Sequence, residues 1–151
     1  KMWKHKRKVL IFLSVIILLC TFFDPEVYIN SRRLSNALAS NDKDSLVLND
    51  ALPFNWDFLY SFDPYVSSER IEEVIGFKSR HIKTAVSEGM TQLIFVKGKK
   101  VVACVCGYPQ MLGYSVSFHG TAGDYALLKS ENRPVFYLEK TDGILNYFYD
   151  F

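Results

Sequence analysis

Between residues 56 and 63 the chain alternates large rings with smaller or polar partners. Trp56, Phe58, Tyr60 and Phe62 interleave with Asp57, Leu59, Ser61 and Asp63. A period of two is that of a strand with one buried face, and the alternation places the four rings together on the core side. Asp63-Pro64 ends the run, because proline cannot donate to a ladder. In "VSSERIEEVIGF" the period changes. Ser67 suits a cap, Val66 and Ile71 a hydrophobic staple, and Glu69 the first turn. Ile71, Val74 and Ile75 form a helical stripe that Gly76 can stop in the left-handed conformation. "TQLIFVKGKKVVACVCG", residues 91–107, reads as two strands joined by a turn at Lys97-Gly98-Lys99-Lys100. Both faces of both runs are apolar, which predicts a central position in a sheet covered on both sides. "YSVSF", residues 114–118, predicts another strand, and residues 134–151 a second hairpin about Asp142-Gly143. The expected fold is α+β: a mostly antiparallel sheet with one short helix packed on a face, preceded by an N-terminal membrane helix.

That helix is read from "VLIFLSVIILLCTFF", residues 9–23, a run of fifteen residues without charge. Lys1, Lys4, Lys6, Arg7 and Lys8 precede it, the arrangement of a membrane segment whose cationic end stays cytoplasmic. Its helical length of ~22 Å falls short of a ~30 Å hydrocarbon core, a gap that Trp3 and the lysines can help to cover. An uncleaved signal-anchor is the preferred reading, with the remainder of the chain outside. Lipidation at Cys20 and cleavage of the segment are the alternatives. Asp24-Pro25-Glu26 then makes a good helix start, and residues 25–39 carry a thin stripe of Val27, Leu34 and Leu38, which suggests a stalk. A polar break follows at residues 40–45. The organisation expected is a basic flank and anchor over 1–23, a helical stalk and linker over 24–45, and an extracytoplasmic α+β domain over 46–151.

Charge refines this picture. Of the 18 basic residues, five lie in the first eight positions, so the remaining 13 face 16 acidic side chains. The basic character belongs to a tail, and nucleic acid is set aside as a partner. Only three cysteines occur, one of them Cys20, so a disulfide-stapled design is excluded. Cys104 and Cys106 share one face of a strand in poor geometry for a bond, and read as small buried hydrophobes.

Candidate chemistry is sparse. Asp57 and Asp63 suggest a carboxylate pair, but six strand residues separate them by roughly 20 Å, whereas working pairs stand ~5–10 Å apart. His81 lies among Lys78, Arg80 and Lys83, a cluster able to bind an anion but more simply a solvated basic face. His119 and Asp124 bracket a glycine-containing loop and supply the one conceivable His–Asp pair. No nucleophile elbow, phosphate loop or metal quartet is present, so no catalytic, cofactor or metal residue is assigned.

Phe54, Trp56, Asp57, Tyr60, Phe62, Pro64, Tyr65, Ile71, Ile75 and Gly76, followed by Leu93 to Val102, form a pattern of their own. It resembles that of a group of uncharacterised small bacterial envelope proteins, membrane-anchored or lipoprotein-type, with a WDxxYxFxPY-like motif. The resemblance covers about half of the chain and implies an envelope location, but brings no activity. Where members carry a lipidation signal, Leu19 stands before Cys20 here. The function expected is a single-pass membrane-anchored binding protein with a protein partner. An immunity-type protein neutralising an envelope-acting toxin is one concrete form. The alternative is an envelope accessory or enzyme using the His119/Asp124 loop.

Overall fold

The computed structural model describes residues 2–22 and 24–151, with side chains described at 5–18 and 24–151. The expectation concerning Cys20 therefore lies outside the residues whose side chains are described. The fold is α+β, with five α-helices and two mostly antiparallel four-stranded sheets among the described residues. In chain order the elements are α1 (Met2–Phe22), α2 (Pro25–Ala39), β1 (Ser45–Val47), α3 (Leu48–Ala51), β2 (Phe58–Phe62), α4 (Ser68–Ile75), β3 (Thr91–Lys97) and β4 (Lys100–Gly107). There follow α5 (Pro109–Leu112), β5 (Tyr114–His119), β6 (Tyr125–Lys129), β7 (Val135–Thr141) and β8 (Ile144–Asp150). One sheet has the order β1-β7-β8-β5 and the other β4-β3-β2-β6. All pairs are antiparallel except β5 with β8, which runs parallel.

Two cores explain why β3 is apolar on both faces. Leu93 and Phe95 enter the core between the two sheets, with Leu59, Tyr114, Phe136 and Tyr147. Ile94 and Val96 point the other way, onto a second core where Tyr60, Phe62 and Cys104 meet Ile71 of α4. The expected pair of strands is present, but β4 is an edge strand and only β3 is internal. The aromatic run divides in the same way. Phe58, Tyr60 and Phe62 line the second core, with the Tyr60 and Phe62 rings stacked 6.2 Å apart. Trp56 lies before the strand starts and enters the first core instead, edge-on to Phe95 at 5.3 Å. The four rings thus do not share a face, because the period of two holds only inside β2.

The stripe on α2 is core and not the side of a stalk. Val27, Asn30, Leu34 and Leu38 are buried, and four hydrogen bonds fasten the helix to both sheets. Asn30 Nδ2 donates to the Val102 carbonyl at 3.1 Å, and the Cys104 N–H donates to Ser31 Oγ at 2.9 Å. On the other sheet Ser35 Oγ pairs with the Tyr114 hydroxyl at 3.1 Å, and Tyr147 donates to the Leu38 carbonyl at 2.7 Å. The helix therefore packs as part of the folded domain, and of the helical stalk and linker expected over 24–45 only the residues after Ala39 keep the character of a linker.

Helix α1 departs from expectation. No helix among the described residues is long and apolar enough to cross a membrane. The cations at 4, 6, 7 and 8 occupy the first turns of α1 and shorten its apolar part. Every residue from His5 to Leu18 is exposed, including Leu10, Phe12 and Leu13.

Candidate functional site

A groove runs along α2, bounded on its far side by residues 80–83 and floored by β4. It consists of two cavities of about 340 and 420 Å³ that share Tyr28, Ser31, Lys83 and Cys104. The first also takes in Asp24, Val27, Arg80 and His81; the second takes in Arg32, Ser35, Asn36, Cys106, Met111 and Leu112. Local structure places each wall. Pro25 and Glu26 start α2 in the manner read from sequence, and its polar residues Ser31 and Ser35 sit one turn apart beside the buried stripe. The opposite wall is held by Gln92, a buried side chain on β3. Its Nε2 donates to the Lys83 carbonyl at 2.7 Å while its Oε1 accepts from the Phe62 N–H at 2.8 Å.

The electrostatics of the groove are cationic. Arg32, Arg80 and Lys83 line it as cations with His81 beside them, and Asp24 is the one acidic residue among the lining residues described. Asp24 is already engaged, with Lys100 Nζ at 3.4 Å and His81 Nε2 at 3.7 Å. Lys100 also holds Glu26 at 2.6 Å, and that bond raises the pKa of its ammonium above the ordinary value. Arg32 donates to the Tyr28 hydroxyl at 3.2 Å and lies over the same ring.

Both thiols ionise less readily than a free cysteine. Burial pushes Cys104 up to about 11, against which the backbone N–H and charge of Lys83 pull only in part. Cys106, half-buried in the groove, is raised by the same cause. A thiol held protonated neither attacks carbonyls nor binds metal well. Among the described residues no group of three or more His, Cys, Asp or Glu converges as for a metal ion.

The residues singled out in the sequence are dispersed. Asp57 Oδ2 accepts from the Gly98 N–H at 2.7 Å, so this carboxylate braces the β3–β4 turn. Its own backbone joins Val96 and Ser130, and Asp63 donates its N–H to the Asp124 carbonyl. His119 and Asp124 are not a pair. Asp124 meets Arg70 at 3.1 Å, and that bond holds its carboxyl below the usual range, while His119 Nδ1 meets Asp150 at 3.2 Å. The parallel register of β5 and β8 sets His119 opposite Asp150, which a sequence reading confined to the loop could not foresee. Of the residues singled out in the sequence, His81 lines the groove with its neighbours Arg80 and Lys83, as do Cys104 and Cys106. Comparison with known proteins finds no matching family model, no matching curated protein and no matching solved structure.

The α2 wall was missed because its stripe looked too thin. Asn30 and Ser31 fill the missing positions of that stripe, and polar residues there signal a helix laid against unpaired strand groups.

Proposed function

We propose that the chain is a membrane-anchored binding protein whose α+β domain meets a protein partner outside the cytoplasmic membrane. An immunity-type protein that neutralises an envelope-acting toxin is its most concrete form. The observation that carries the reading is α1, a helix whose apolar residues 9–13 and 15–18 are all exposed. Exposed apolar area of that extent on one helix needs a cover, and nothing in the described domain supplies it. The cationic flank fits an amino end kept on the cytoplasmic side. The apolar run is some ~8 Å shorter than the hydrocarbon core, a mismatch that snorkelling lysines and local thinning can absorb. The resemblance to envelope proteins points in the same direction. A cationic groove whose thiols are held protonated supports binding over catalysis.

Fractionation tests the anchor. The full chain is expected in the membrane pellet after an alkaline carbonate wash, and Leu13→Lys with Ile16→Lys is expected to release it. A wild-type chain washed off with the peripheral proteins would defeat the reading. Sidedness is read from Cys106 in a Cys20→Ser background, where a membrane-impermeant maleimide should label intact cells stripped of any outer barrier. For the immunity form, co-expression should protect cells from a toxin encoded beside the gene.

A further inference from the structure

We infer that the groove receives an extended, acidic peptide segment of a partner protein, which adds as a strand to the free edge of β4 at Cys104–Cys106. The inference rests on the reading of the chain as a binding protein and names the partner's chemistry.

The register decides which backbone groups are free. In an antiparallel strand alternate residues turn both N–H and C=O toward the same neighbour. The Cys104 N–H reaches Ser31 Oγ, so Cys104 faces away from β3, and its partner Ile94 forms a non-hydrogen-bonded pair with it. Two residues on, Cys106 pairs with Gln92 in the same phase and likewise turns its N–H and C=O outward. The side chains of helix α2 bond only the first part of this edge. Asn30 takes the Val102 carbonyl and Ser31 takes the Cys104 N–H, with the Ser31 hydroxyl fixed by its own donation to Val27 at 2.6 Å. Beyond that point the edge opens onto the 420 Å³ cavity. An uncovered strand edge is a template for pairing, and proteins normally blunt it. Here the blunting stops where the groove begins.

The surroundings select the occupant. Arg32 and Lys83 flank the open edge, so acidic side chains on an added strand would meet them. Tyr28 and Met111, both exposed, stand along the groove as apolar contacts for the alternate side chains. Strand addition uses main-chain bonds for affinity and such contacts for choice of sequence. The cavity is too short for a long strand but suits a few extended residues.

The test uses the full-length Cys20→Ser chain in detergent micelles, with maleimide labelling of Cys106 as the readout. A pool of end-blocked hexapeptides alternating Asp or Glu with Val or Ile is added. The expected result is a peptide that slows labelling at least fivefold. N-methylation of that peptide on one alternate set of nitrogens should abolish the effect, and on the other set should leave it intact. Lys83→Glu should weaken the peptide at least tenfold with an unchanged unfolding midpoint, whereas Lys140→Glu should not. If no peptide in the pool protects, if both methylation patterns behave alike, or if acetate or anionic vesicles protect equally well, the inference is overturned. Because membrane retention is measured on the same chain without peptide, such a failure leaves the anchor reading separately decided.

Discussion

Asp57 shows how a residue that looks catalytic can be structural. Its carboxylate closes the β3–β4 turn on the Gly98 N–H, and its backbone bridges β3 and the Ser130 turn. Replacing it with alanine removes one charge-assisted bond at a half-exposed site, where water can partly substitute. The expected loss is about 1 kcal/mol in urea unfolding, with asparagine closer to wild type. The buried titratable groups predict an alkaline limit. Burial holds Cys104 at about 11 and Tyr114 at about 12, above their ordinary values of 9.0 and 10.0. Above about pH 9 the unfolded chain releases these protons while the native chain retains them, so stability falls as pH rises toward 11. Their contribution is fully present below the unfolded values. Unfolding midpoints measured across that range should decline, and Cys104→Ala should flatten the decline while lowering stability at neutral pH. A midpoint independent of alkali would contradict the burial of both groups.

Among the elements, α4 is the one most completely legible in the sequence. Ser67 accepts from the Arg70 N–H, and Gly76 closes the helix at φ 83°, both at the positions that local chemistry indicates. Ser67→Ala should cost about 1 kcal/mol through loss of the cap. Gly76→Ala should cost a similar ~1 kcal/mol, because alanine resists a positive φ even though open space surrounds the site. Thermal unfolding of the two variants checks both. The two hairpins were equally readable, since Gly98 and Gly143 mark their turns between β-rich runs. What escaped the sequence depends on distant partners. The parallel pairing of β5 with β8, and with it the His119–Asp150 contact, follows from a crossover that no local signal announces. The groove escaped for the same reason, since Lys83 and Ser31 meet only through β4. Helix α2 was placed within its bounds but its role was misread. Asn30→Ala tests that role: it leaves the buried Val102 carbonyl without its donor and should cost about 1–3 kcal/mol.

At the scale of the molecule, the division that matters lies between α1 and α2. Residues 5–18 of α1 are exposed throughout and contribute no side chain to either core. Helix α2 supplies Leu34 and Leu38 to the core between the sheets and hydrogen bonds to both of them. Burying two leucines contributes roughly 4 kcal/mol or more by area, before the four bonds are considered. A domain of this size has a net stability of only ~5–15 kcal/mol. Deleting residues 1–23 should therefore leave the unfolding midpoint of the remaining chain close to that of the full chain in micelles, while abolishing retention in the membrane pellet. Deleting residues 1–39 should expose β4 and the flank of both sheets, giving a chain that aggregates or fails to unfold cooperatively. Circular dichroism melts with sedimentation of each truncation distinguish the cases. A cooperative, soluble 40–151 fragment would return α2 to the role of a stalk, and would remove the helix that walls the groove from any account of binding.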